Sequence, residues 1–211
     1  MVILFDYRYW GGSTVKPREL VSLSVQLEDW KTIIQYASNL KEIDKRRIVL
    51  WGTSLSGGYV LSLAADLKNI QAVMVQVPYV DGAETAKHYP LQRYPEALKC
   101  SSQDYMGSKM GLAATTLPVV DQYKLCFLPT SDSYYGYHSI VNPDYYWSGE
   151  VPARVFFSLM RYRPIQFVRK INIPVLFIAA KQDSLVPLAS SREAATNIAP
   201  FVQYHEWEMK H

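Results

Sequence analysis

Ile48-Val49-Leu50-Trp51-Gly52-Thr53-Ser54-Leu55-Ser56-Gly57-Gly58 is the stretch that decides how this chain is read. Four apolar residues run into a glycine, a serine and then a glycine pair, from which a helical pattern continues to about Leu67. An uninterrupted apolar run of this length reads as a buried parallel strand. A serine on the turn between such a strand and a helix is held in a strained backbone. Its hydroxyl is lifted off the C-terminal edge of the sheet, where open α/β sheets bind their ligands. That turn has room only for small residues two positions to either side, and Gly52 and Ser56 supply them. The common pattern is G-x-S-x-G, so Ser56 is a conservative departure, with Gly57 next. A tight structural turn is one competing use of these residues. A phosphate-binding loop is another, but it calls for a lysine or a G-x-G-x-x-G pattern, and neither is present. The sequence therefore nominates Ser54 as a nucleophile. The Leu55 backbone N–H, at the positive end of the following helix, is nominated as an oxyanion donor.

Further apolar, β-favouring runs lie at residues 2–5, 72–77, 174–179 and about 202–208. Helical spacing of Leu23, Leu27, Trp30, Ile34 and Ala37 marks a helix over about 23–40, and another is expected over about 189–198. Strands alternating with helices predict the α/β class, a mainly parallel sheet with helices on both faces. Residues from about 80 to 165 differ, holding ten of the sixteen tyrosines and weak periodicity throughout. They are expected to be an irregular, partly helical insertion within a single domain spanning 1–211, forming a partial lid. Tyr134, Tyr135, Tyr137, Tyr145, Tyr146 and Trp147 would either line an apolar pocket under that lid or simply pack together.

Composition narrows the function. The chain has 211 residues, 49% hydrophobic and 19% charged, with a net charge of +3. Its densest basic group is only Lys45-Arg46-Arg47, so no nucleic-acid footprint is expected. Cys100 and Cys126 lack C-x-x-C spacing, which argues against a metal or redox motif, and no cofactor is expected. The apolar run at residues 2–5 is too short for a signal peptide or a membrane span, so an intracellular, cytoplasmic location is expected. The oligomeric state is left open.

A serine nucleophile on this kind of turn needs an acid and then a histidine, in that chain order. Asp183 lies on the loop after the run at 174–179. Capping the next helix is its alternative use, although the helical pattern begins nearer Ser190. His211 lies just after the last expected strand, with room before it for a loop, a helix and a strand. His205 falls inside that strand, and His88 and His138 fall in the insertion, ahead of the acid. The expected roles are Asp183 fixing the imidazole and His211 taking the Ser54 proton.

With these residues in view, the chain resembles α/β-hydrolases of the dienelactone-hydrolase and X-prolyl-dipeptidyl-peptidase-like branch. Within it, the chain is most similar to fungal polyketide-transferase-type hydrolases of secondary-metabolite and toxin pathways. The resemblance is carried by Phe5-Asp6-Tyr7-Arg8 with Gly11-Gly12-Ser13, Glu28-Asp29-Trp30, the Ser54 turn, Pro78-Tyr79-Val80-Asp81-Gly82, Tyr162-Arg163-Pro164 and the segment from Asp183 to Pro187. It implies a serine hydrolase or acyltransferase working on a small-molecule ester, thioester or related acyl substrate. It also implies strands ahead of Val2, one of them lying between the Val2 and Ser54 strands and followed by the loop with a second oxyanion donor. A closing helix after the histidine is implied as well. These segments are not among the 211 residues, so the expectation is a truncated chain with weak or impaired activity. A catalytically impaired paralogue or fragment acting as a binding protein, and an X-prolyl-type peptidase, are the alternative readings.

Overall fold

The computed structural model describes residues 1–142, 147–198 and 200–211. In chain order the elements are α1 (Leu23–Asn39), β1 (Val49–Thr53), α2 (Ser54–Asp66), β2 (Ala72–Gln76), α3 (Gly82–Lys87), α4 (Tyr94–Lys109), β3 (Thr116–Pro118), α5 (Ser131–Ile140), β4 (Glu150–Pro152), α6 (Val155–Arg161), β5 (Val175–Ala180), α7 (Leu188–Ile198) and β6 (Val202–Trp207). They fall into two compact units. One comprises Met1–Phe5, Leu27–Thr85 and Tyr162–His211, and the other Asp6–Gln26 and Ala86–Arg161.

The first unit is built on a four-stranded parallel sheet in the order β1-β2-β5-β6. Val49 pairs with Ala72, Val73 with Val175, and Phe177 with Tyr204. Parallel neighbours need long crossovers, and α2 and α7 serve as the connections from β1 to β2 and from β5 to β6. One core holds the unit. Leu50, Val73, Val75, Val175 and Phe177 of the sheet meet Ile34 of α1, Val60, Leu61 and Leu63 of α2, and Ala194 and Ile198 of α7. Leu27 and Trp30 pack against this core as their helical spacing predicts. Alternate residues on the first two strands point the other way and are exposed: Val49 at 51%, Trp51 at 54% and Met74 at 41%.

The α/β class read from the sequence holds, with its parallel sheet and helices. The expected strand at residues 2–5 does not form. These residues join no sheet, Val2 and Leu4 are exposed, and Phe5 packs edge-on against Trp30 at 5.2 Å. β-favouring side chains make a strand only where a neighbouring backbone takes their N–H and C=O groups. The helix expected from Gly57 starts three residues earlier, at Ser54 itself.

The second unit contains α4, α5, α6 and the antiparallel pair β3–β4. Its polar anchor is Asp104, buried to 1% exposure, which accepts from the Thr115 N–H at 3.1 Å, the Arg154 N–H at 2.9 Å and the Arg154 guanidinium at 3.1 Å. Several of its aromatics pack on one another, while Tyr105 and Tyr123 are exposed. Tyr89, Tyr94 and Phe156 form a mutual edge-to-face group, and Tyr137 stacks on Trp147 at 5.9 Å. Tyr134 meets both Tyr135 and His138. Tyr145 and Tyr146 lie outside the described residues. Among the described residues no helix is long and apolar enough to cross a membrane.

Phe177 is fully buried at the centre of the sheet, with its ring against Tyr204. Phe177→Ala is expected to lower unfolding free energy by about 3–5 kcal/mol, measured by urea titration with the denaturant slope unchanged.

Candidate functional site

The turn between β1 and α2 is built from close backbone contacts. Ser54 has φ +51°, in the left-handed region that non-glycine residues rarely occupy. Such a residue costs on the order of 1–3 kcal/mol and persists only where its surroundings leave no alternative. Those surroundings are tight. A Cβ on Gly52 would lie 2.5 Å from the Ser56 carbonyl oxygen and 2.9 Å from the Gly57 nitrogen. A Cβ on Gly57 would lie 2.8 Å from the Pro78 Cβ. The steric demand therefore falls on Gly52 and Gly57. Ser56 contributes its main chain to the contact, which is why a serine is tolerated there. The Tyr79 N–H donates to the Ser54 carbonyl at 2.8 Å and ties the turn to the segment after β2. Val77, at the end of β2, is also left-handed, with φ +41°. A β-branched residue in that conformation carries its own strain, and nothing in the sequence pattern foretold it. The Leu55 N–H lies in the first turn of α2, where backbone donors have no partner within the helix and the helix dipole is positive.

Asp183 and His211 reach Ser54 from the far strands of the same unit. After β5 the chain turns, and the Asp183 carboxylate divides its two oxygens. Oδ1 accepts from the backbone N–H groups of Leu185 at 2.9 Å and Val186 at 2.8 Å, while Oδ2 faces His211 Nδ1 at 2.9 Å. The capping alternative fails, because α7 begins only at Leu188 and Asp183 orders the turn ahead of it. His211 Nε2 lies 2.8 Å from Ser54 Oγ. A carboxylate only accepts, so Nδ1 carries the hydrogen and Nε2 is left to accept from the Ser54 hydroxyl. The carboxylate is 3% exposed and the imidazole 17%. The two segments are sewn together past the strand ends: the Lys181 N–H donates to the Trp207 carbonyl at 2.9 Å, and the Gln182 N–H to the Met209 carbonyl at 3.1 Å.

The remaining histidines are elsewhere. His205 sits within β6 opposite Ile178, with its side exposed. His88 follows α3, and His138 lies in α5 against Tyr134. Among the described residues no group of three or more His, Cys, Asp or Glu is placed to hold a metal ion.

An ion pair braces the two elements that lie between Asp183 and His211. Arg192 of α7 grips Glu206 of β6 with both arms, at 2.6 and 2.8 Å, and the Tyr204 hydroxyl donates to the same carboxylate at 3.0 Å. Chiefly through the Arg192 hydrogen bonds, the Glu206 carboxyl is held down from its ordinary 4.5 to about 2. Burial, and then the neighbouring Glu206, push the Tyr204 phenol up.

A strained strand-to-helix serine, hydrogen-bonded to a histidine that is in turn held by a carboxylate, on a parallel sheet with helices, defines the α/β-hydrolase class. The chain belongs to the family described as BD-FAE, whose sequence profile matches residues 18–198. The quorum-quenching protein AidA of Acinetobacter baumannii is 33% identical over 196 residues, covering 92% of this chain and 64% of its own length. The thiohydrolase aneE of Aspergillus aculeatus is 22% identical over 204 residues, covering 88% of this chain and 61% of its own. The resemblance to fungal hydrolases is thus present alongside bacterial relatives. In fold, the chain is similar to the α/β-hydrolase GrgF of Penicillium sp. sh18, with a TM-score of 0.82 at 17% identity over 99% of this chain and 71% of that one. The chain spans less than two thirds of the length of these two curated relatives.

Two outcomes follow from the site's construction. Gly52→Ala forces a Cβ into the Ser56 carbonyl and is expected to cost roughly 1–3 kcal/mol, read as a lowered thermal midpoint. The depressed Glu206 carboxyl contributes stability that is present above pH 4.5 and lost as the pH falls toward 2. Arg192→Gln is therefore expected to be less stable than the parent at pH 7, with the difference closing across that window in an acid titration followed by circular dichroism.

Proposed function

We propose that this protein is a serine hydrolase or acyltransferase in which Ser54, His211 and Asp183 form the catalytic triad and the Leu55 N–H serves as an oxyanion donor. The observation that carries the reading is the continuous hydrogen-bonded path, 2.8 Å from Ser54 Oγ to His211 Nε2 and 2.9 Å from His211 Nδ1 to Asp183 Oδ2.

In this mechanism His211 Nε2 accepts the Ser54 proton as Oγ attacks the acyl carbonyl. Asp183 keeps the imidazole in the required tautomer and stabilises the imidazolium that forms. The carbonyl oxygen becomes an oxyanion and is met by the Leu55 N–H at the positive end of α2. His211 then returns the proton to the leaving alcohol or thiol, and Ser54 is left acylated. Hydrolysis and acyl transfer share this intermediate and differ only in whether water or another nucleophile resolves it.

The substrate class we infer is an ester or thioester of a small organic acid. The thiohydrolase relative supports the thioester side of that class, and similarity to a fungal polyketide transferase fits a role in polyketide or toxin secondary metabolism. No specific observation favours an X-prolyl peptidase. A binding role without catalysis is what failure of the following test would favour.

A fluorophosphonate probe is expected to label the protein, and labelling is expected to vanish in Ser54→Ala. Asp183→Asn is expected to slow turnover of a p-nitrophenyl ester by roughly 10³–10⁴-fold while the protein stays folded. A folded, monodisperse sample that takes no label would sink the enzyme reading.

A further inference from the structure

We propose that the Asp81–Arg163 ion pair is a positioning clasp that holds the Ser54 turn in its left-handed conformation through the Tyr79 N–H. This rests on reading Ser54 as the nucleophile, and it assigns a task to two residues that touch neither Ser54 nor His211.

The pair is buried on its carboxylate side, while the Arg163 side chain remains 38% exposed. Asp81 is almost wholly buried, and its two oxygens are fully engaged. Oδ1 accepts from the Arg163 Nε–H at 2.9 Å and from the backbone N–H groups of Ala83 at 3.0 Å and Glu84 at 3.3 Å. Oδ2 accepts from Arg163 Nη2 at 2.8 Å. A guanidinium meeting a carboxylate through two parallel bonds fixes orientation as well as distance, which a lysine cannot do. Main-chain bonds on both sides of the pair reinforce it. The Gly82 N–H donates to the Tyr162 carbonyl at 2.8 Å, and the Ile165 N–H to the Val80 carbonyl at 2.9 Å. Residues 80–82 and 162–165 are therefore one rigid piece, joined across 82 positions of chain.

That piece bears on the Ser54 turn from two directions. Pro78 and Tyr79, immediately before it, fill the space beside Gly57 and Gly58, and the Tyr79 N–H holds the Ser54 carbonyl. Tyr162, on the other arm, reaches α2 itself: its hydroxyl lies 2.9 Å from Ser62 Oγ, and its ring packs on Tyr59 at 5.7 Å. Two residues that lie against this wall, Ser54 and Val77, are left-handed and not glycine. Strained backbone relaxes unless the structure around it forbids relaxation. The clasp is what fixes the wall against which both are held. Were it only a stabilising contact, loosening it would lower the melting temperature and leave the Ser54 region as well ordered as before in the folded protein.

Two measurements on Arg163→Gln and Arg163→Lys, made well below their melting temperatures, separate these roles. The first is amide hydrogen exchange. The Tyr79 amide is expected to exchange about tenfold faster in Arg163→Gln, with Phe177 in β5 unchanged and Arg163→Lys in between. The second is fluorophosphonate labelling against probe concentration. The maximal rate is expected to fall roughly 10–100-fold in Arg163→Gln with the half-saturating concentration unchanged, and Arg163→Lys is expected to recover part of it. Unchanged Tyr79 exchange in folded Arg163→Gln overturns the clasp, as does faster exchange with labelling at the parent rate. Absence of labelling in the parent overturns the hydrolase reading alone, and the exchange result then still decides whether the clasp holds the turn. Should Arg163→Gln fail to fold, Arg163→Lys carries both measurements.

Discussion

The left-handed backbone at Ser54 is a constraint that runs outward through the first unit. Holding that conformation requires the end of β1 to fold back on the first turn of α2, close enough that a methyl on Gly52 would strike the Ser56 carbonyl. It requires the segment after β2 to close the other side, through Pro78 and Tyr79. β2 in turn is fixed by pairing with both β1 and β5, and β5 sets the level at which Asp183 leaves the sheet. One local distortion thereby depends on three strands and one helix, and the core of valines, leucines and Phe177 keeps those elements in register.

The same sheet explains why Asp183 and His211 arrive together although neither is anchored in the core. β5 and β6 are parallel neighbours, so the segments that leave their C-terminal ends emerge side by side. The backbone bonds from Lys181 and Gln182 to Trp207 and Met209 continue the ladder into both segments. The Arg192–Glu206 grip keeps α7 and β6, the two elements between these residues, from drifting apart. Asp183 uses one oxygen to set its own turn and the other to orient the imidazole, so the order of the loop and the order of the site have the same source.

Much of this was legible in the amino-acid sequence because the signals are local. The run from Ile48 to Gly58 specifies a strand, a tight turn and a helix in succession, although β1 is buried on one face only, with Val49 and Trp51 exposed on the other. The apolar spacing from Leu23 to Ala37 specifies one face of a helix, and Asp183 and His211 stand in the order the turn demands. What was missed depends on partners distant in the chain. Residues 2–5 have the composition of a strand, yet a strand is a property of two backbones. The tyrosines of the second unit read equally as pocket or packing, and Tyr89, Tyr94, Tyr134 and Tyr137 are found packing on other aromatics. Val77 betrays no sign of its positive φ, and Asp81 and Arg163, 82 residues apart, carry no spacing that would pair them.

The glycine contacts around Ser54 also fix how placement error is shared across the site. On the Ser54 side the clearances are closed, with no room at Gly52 or Gly57 for one extra carbon. On the other side, the imidazole of His211 meets Asp183 and Ser54 through its two ring nitrogens. As in a machined jig, the serine is the locating pin and the imidazole is the part brought up to it. A change that loosens the walls of that turn therefore moves the serine, whereas one that loosens the Asp183 loop moves the imidazole.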